Sequence, residues 1–321
     1  MTNTATSPSF LRAALNAIGG LLRDTVKVVL DLYKVMIPII ILVKILSELN
    51  VLGYLAWPLT PVMKLVGLPA ETGLVWVTAM FVNLYSAMAV YVSLGALSLN
   101  IAQITVLATM MLVAHNLLLE TRIAQQCGVS AKSQIIVRVG CAILLGFILH
   151  LVFSGFGVFQ EPSRLLWDPP AEAPTLLLWA WGQAKGLISL FFIIFGLMVL
   201  MQVLKALRIT DLFNFVLRPF LKIMGISSNA ATITVIGLTL GITYGGGLII
   251  HESRSGTVSR MDLFSAMTLM ALSHALIEDT LVMSLLGAHM AGTFWGRLIF
   301  SLVVVAILSR LLRKKLAPVE A

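Results

Sequence analysis

Three stretches of this chain run for 19 to 24 residues with two charges at most: 134–157 (QIIVRVGCAILLGFILHLVFSGFG), 186–204 (GLISLFFIIFGLMVLMQVL) and 294–312 (FWGRLIFSLVVVAILSRLL). About 20 apolar residues in a helix match the hydrocarbon thickness of a bilayer. Lipid offers no partner to backbone N–H and C=O groups, so a lipid-spanning segment of this kind must be helical. The reading is therefore an all-α, polytopic helical membrane protein, placed in a bacterial cytoplasmic (inner) membrane. Composition agrees: 59% of residues are hydrophobic and 11% charged, against about 25% charged in soluble domains. The net charge of +8 does not outline a nucleic-acid surface, because Lys and Arg are scattered singly, with one cluster at Arg310–Lys315. Such flanks set topology and meet anionic headgroups, so the partner they imply is the bilayer. The first 25 residues lack the continuous apolar core of a cleavable signal. Residues 10–24 (FLRAALNAIGGLLRD) read as a short amphipathic helix on the membrane surface. Cys127 and Cys141 form no CxxC pair and no disulfide framework.

The chain repeats itself. LTPVMKLVGLPAE from Leu59 and LRPFLKIMGISSN from Leu217 share L-x-P-x-x-K-x-x-G, aligning Pro61, Lys64 and Gly67 with Pro219, Lys222 and Gly225 at an offset of 158. TMMLVAHNLLLET (109–121) aligns with TLMALSHALIEDT (268–280), pairing His115 with His274 and Glu120 with Asp279 at an offset of 159. Tyr85 and Tyr244 also match at 159. Two blocks in one order at nearly constant offset indicate duplication. The organisation read from this is an N-terminal helix (1–25), a first repeat (26–157), a Pro-rich linker (158–185) and a second repeat (186–315).

Each repeat would hold a first span, a short Pro-broken segment too short to cross, a small-residue stretch (70–98 and 229–250), a His-bearing helix and a closing helix. A plain count gives eight crossings. The loop after the first His helix carries Arg122, Lys132 and Arg138, whereas 281–293 carries no Lys or Arg. Opposite bias in corresponding loops points to inverted repeats with re-entrant or broken helices.

On these residues the chain resembles the nucleoside-recognition (Gate) membrane proteins, a group that includes spore maturation proteins A and B and the membrane part of ferrous iron transport protein B. The resemblance covers roughly 26–312 and implies a transport or gating scaffold. It departs from the iron permeases in lacking a G-x-x-x-x-G-K-[ST] loop and counterparts of their membrane cysteines.

The candidate site begins with LSHALIEDTLVM (272–283). On a continuous helix His274 and Glu278, four apart, share one face, while Asp279 lies about 100° away. Each ionisable group in a span costs about 2.5–3.5 kcal/mol, so such groups face one another or a polar cavity. A buried structural pair and a pathway role both fit. His115 and Glu120 would face the same centre from the other repeat. ITYGGGLIIHESRSG (242–256) adds Tyr244 and the glycines Gly245, Gly246 and Gly247, which either break the helix to bind solute or let helices pack closely. His251, Glu252, Ser253 and Arg254 follow at the membrane edge as a gate or a solvated loop. Asn83 and Tyr85 are the first-repeat counterparts, with Asn83 free to hold a solute hydroxyl or to bond a neighbouring helix. Lys64 and Lys222 snorkel to headgroups.

No enzyme is expected. His251-Glu252 opens an H-E-x-x-H pattern, but Ser255 stands at the second His. A metal set would draw on His115, Glu120, His274, Glu278 and Asp279, with Met110, Met111 and Met270 nearby. No resident cofactor is implied. The function expected is secondary transport of a nucleoside-like or other small polar solute by alternating access, with protonation of His274–Glu278 as coupling step. The alternatives are a divalent-metal permease of the iron or manganese type and a non-transporting scaffold with a partner protein. Homo-oligomerisation remains compatible with all three.

Overall fold

The computed structural model describes residues 8–94, 97–166, 175–224, 226–240, 250 and 259–316. The described residues are helical, with one isolated bridge between Asn100 and Pro162 and no strand. Helix α1 (Pro8–Glu48) is unbroken over 41 residues, about 60 Å long at 1.5 Å per residue. The expected surface helix and first span are thus one element, with no joint near residue 25. Asn50, in the left-handed region at φ 55°, turns the chain, a conformation asparagine tolerates better than most residues. The next segment leaves α1 at 109°. It comprises α2 (Leu52–Ala56), a 3₁₀ turn (Trp57–Leu59) and α3 (Thr60–Leu65), with Pro58 and Pro61 in first-turn positions, where a missing N–H costs nothing. This is the short Pro-broken segment the sequence describes. Gly67 ends it at φ +72°, where a Cβ would collide with the ring of His150.

Residues 70–98 are not one stretch. Helices α4 (Thr72–Phe81) and α5 (Leu84–Ser93) are ten residues each, about half a bilayer. Helices α6 (Ile101–Val113) and α7 (Leu117–Gln126) follow one line through a break, and α8 (Ala131–Gly155) packs along α6. The linker is not loose where it is described. Ser163 N–H bonds Leu99 O at 3.0 Å, and Leu166 N–H bonds Leu285 O at 2.8 Å, so it ties α6 to the far end of the chain. It also ends earlier than expected, because α9 starts at Leu176 and runs to Ala206. The second part contains α10 (Ile209–Ile223), α11 (Ser228–Leu240), α12 (Arg260–Ser273), α13 (Leu276–Ser284), a π turn (Ala291–Gly296) and α14 (Arg297–Leu316).

Among the described residues, five helical segments are long and apolar enough to cross a membrane, or six with the bent α1–α3 pair. The count of eight is not reached, because 70–98 is two half-length helices and 229–250 is described only at 229–240 and at Ile250. Burial orders the spans. In the most apolar window of α6–α7, and likewise of α12–α13, 78% of residues are buried, against 11% for α9. The two His-bearing segments therefore form the centre. Helix α9 turns Leu177, Ile188 and Phe192 outward, as a lipid-facing helix must. The molecule is an integral membrane protein of all-α, polytopic architecture.

Candidate functional site

Both His-bearing helices break at the histidine. Helix α6 ends at Val113, and Asn116 adopts φ 48°, ψ 34° before α7 begins. Helix α12 ends at Ser273, His274 is extended (φ −66°, ψ 165°), and Ala275 adopts φ 45°, ψ 40°. The left-handed region costs an L-residue about 1–2 kcal/mol, and a break inside a membrane frees backbone carbonyls that lipid cannot satisfy. Two arginines satisfy them. Arg138 on α8 donates from Nε to Val113 O at 3.0 Å and from Nη2 to His115 O at 2.7 Å. Arg297 at the start of α14 donates from Nε to Leu272 O at 2.9 Å and from Nη2 to His274 O at 2.8 Å. Donors, acceptors and left-handed residues all correspond at an offset of 159. The fixed guanidinium fork is suited to bridging two carbonyls while holding a carboxylate.

The third arm differs between the two. Arg138 Nη1 meets Glu120 Oε2 at 2.6 Å, with both side chains buried. Arg297 Nη1 lies 3.9 Å from Asp279 Oδ2, and neither atom has a hydrogen-bond partner among the described residues. One closure is made and its counterpart stands open. Between them the imidazoles meet, with Nε2 of His115 and His274 3.1 Å apart. Glu120 Oε1 lies 3.3 Å from His274 Nε2 and 3.7 Å from His115 Nε2.

Glu278 belongs elsewhere. The expectation that it shares a helical face with His274 fails because the helix breaks at His274–Ala275. The described hydrogen bonds of the His274 ring go to His115 and to Met270 O. Glu278 instead lines a cavity of about 390 Å³ between α1, α5, α9 and α13, together with Asp24, Tyr85 and Gln202. The first turn of α13 thus aims Glu278 at the cavity and Asp279 at the centre, and the positive end of the helix dipole favours both carboxylates there. Asn83 is committed differently from the solute-holding expectation: its Oδ1 accepts from Ser86 N–H at 2.8 Å and caps α5. The methionines are packing groups, with Met110 against Gly146 and Met270 against Gly237. Tyr244, Gly245, Gly246, Gly247, His251, Glu252, Ser253 and Arg254 lie outside the described residues.

Arg138 and Arg297 are the functional residues that sequence reasoning missed. Arg138 was counted among loop charges, yet it is on α8 and 1% exposed, so it carries no topological information. Its counterpart Arg297 begins just beyond the 281–293 window that contained no basic residue. The charge contrast behind inverted repeats shrinks to Arg122 and Lys132. The identity was readable, since an arginine stands at both 138 and 138 plus 159.

A helical membrane protein with broken, arginine-capped central helices is the class that this geometry defines. Residues 29–131 match the family described as Gate, nucleoside recognition. The chain is 30% identical over 257 residues to the uncharacterized membrane protein YvoD of Bacillus subtilis (strain 168), covering 79% of this chain and 81% of that protein. The chain belongs to the nucleoside-recognition (Gate) family of membrane proteins. No solved structure matches it.

Proposed function

We propose that the protein is a secondary transporter of the bacterial cytoplasmic membrane that carries a small polar, nucleoside-like solute by alternating access between two duplicated halves. The observation that carries this reading is the open closure at Asp279–Arg297. A buried acceptor and a buried donor 3.9 Å apart, each without a hydrogen-bond partner among the described residues, suit a solute hydroxyl or amide that both accepts and donates. The equivalent pair, Glu120–Arg138, is shut at 2.6 Å, which supports two alternative closures of one duplicated element. The 390 Å³ cavity bordering Glu278 and Tyr85 lies within the usual size range of small-molecule sites and would serve as the approach. The family description points to the same solute class.

The test is a thermal-shift panel of nucleosides, amino acids and sugars on purified protein, followed by uptake into proteoliposomes. A solute at 100 times its Kd stabilises the native state by about 2.7 kcal/mol. The expected result is stabilisation by nucleosides, lost in Asp279→Asn, together with uptake of the same compounds. If no compound stabilises the protein and vesicles take up none, the reading is wrong.

A further inference from the structure

We propose that His115, His274, Glu120 and Asp279 form a binding site for one divalent first-row transition-metal ion, of the Zn²⁺ or Mn²⁺ class, joining the two broken helices. The tautomers carry the argument. His115 Nδ1 lies 3.0 Å from Leu112 O, and His274 Nδ1 lies 2.9 Å from Met270 O. A carbonyl only accepts, so each Nδ1 carries a hydrogen, which leaves Nε2 as the ring atom able to offer a lone pair to a cation. The two Nε2 atoms face each other at 3.1 Å. Glu120 turns its second oxygen, the one Arg138 does not hold, to within 3.3 and 3.7 Å of them. Asp279 Oδ2, without a hydrogen-bond partner among the described residues, stands 3.9 Å from His115 Nε2. One ligand atom each from His115, His274 and Asp279 lies within 4.8 Å of the others.

Four side chains that can act as Lewis bases thus converge in one buried place, where a divalent cation can take the position of a hydrogen between the rings. The dimensions suit a metal. Ligands about 2.0–2.1 Å from a tetrahedral ion stand about 3.3–3.4 Å apart; the 3.1–3.7 Å separations among His115, His274 and Glu120 bracket that value, and Asp279 would draw in from 3.9 Å to join them. Imidazole with carboxylate selects Zn, Mn or Fe over Ca or Mg. The surroundings resemble an outer coordination shell: carbonyls fix both rings, and Arg138 orients Glu120 from behind. The carboxylates of Glu120 and Asp279 balance the guanidiniums of Arg138 and Arg297, and the adjacent Glu278 adds the negative charge an entering cation meets.

This site shares Asp279 with the transport reading but is argued from its own geometry, and binding alone tests it. Full-length protein, stripped with chelator in detergent, is titrated calorimetrically with Zn²⁺, Mn²⁺ and Co²⁺, and the Co²⁺ form is examined for visible ligand-field bands. The expected result is one ion per chain, with affinity falling about 100-fold in His115→Gln and His274→Gln and about 10- to 100-fold in Arg138→Gln, the range known for outer-shell partners. Circular dichroism and gel filtration establish that each variant is folded. Should His115→Gln fail to fold, the Co²⁺ spectrum of the native protein decides by itself, since imidazole coordination must appear in it. Absence of binding, or binding that the double histidine variant retains in full, overturns the proposal, as does a single proton shared by the rings of metal-free protein with no ion displacing it. Nucleoside uptake can fail while the ion binds, so the two readings are separable.

Discussion

Arg138 shows what a buried charge does in this protein. It bonds two carbonyls released by the α6 break and the carboxylate of Glu120, all within 3.0 Å. Replacing a well-formed buried ion pair with apolar groups is often tolerated, whereas removing one partner costs about 3–5 kcal/mol by stranding the other charge. Glu120→Gln should therefore destabilise the protein by about that amount in chemical unfolding. Glu120→Gln combined with Arg138→Gln should not sum the two losses. A double-mutant cycle measures this, and strict additivity would mean that the 2.6 Å contact carries no coupling. The corresponding cycle at Asp279 and Arg297 should give the smaller coupling, because their atoms stand 3.9 Å apart.

At the scale of the element, the break at His274 is held by Ala275, an alanine at φ 45°. Glycine occupies that region without the Cβ penalty but loses more chain entropy on folding, about 0.4–1 kcal/mol. Ala275→Gly should accordingly leave stability unchanged or raise it by about 1 kcal/mol, and thermal unfolding reads the difference. A marked loss would show that the left-handed conformation carries no strain. This break is also where the sequence was least legible. Apolar runs announced the spans, and the offset of 159 announced that His115 and His274 correspond, which the 3.1 Å contact realises. Nothing in ALSHALIED announces a helix stop, since the stop depends on a guanidinium arriving from residue 297. Glu278 was misplaced for the same reason: helical spacing holds only while the helix does. Asn83 could have been read as a helix cap, being a residue type that prefers that position three residues ahead of the N–H it accepts.

For the molecule as a whole, the proposed alternating access would require the cavity between α1, α5, α9 and α13 to open and close. Thr25 on α1 touches Met198 on α9, with Oγ1 3.2 Å from Sδ, and Tyr33 Oη donates to Leu187 O further along the same pair. Cysteines at positions 25 and 198, introduced as Thr25→Cys with Met198→Cys, should cross-link under oxidant and abolish uptake, with recovery under reductant. Unchanged uptake in the cross-linked protein would place the moving parts elsewhere. The native Cys127 and Cys141 are buried and would be replaced first. The length of α1 adds a mechanical consequence. A continuous helix of 41 residues with Pro38 inside it, about 60 Å along its axis, is a lever: a swing of about 10° about one tip carries the other through about 10 Å. Hinged at its Pro8 end, the same swing would move the helix by about 4 Å at Asp24 and by about 10 Å at Glu48, a shift as wide as a helix.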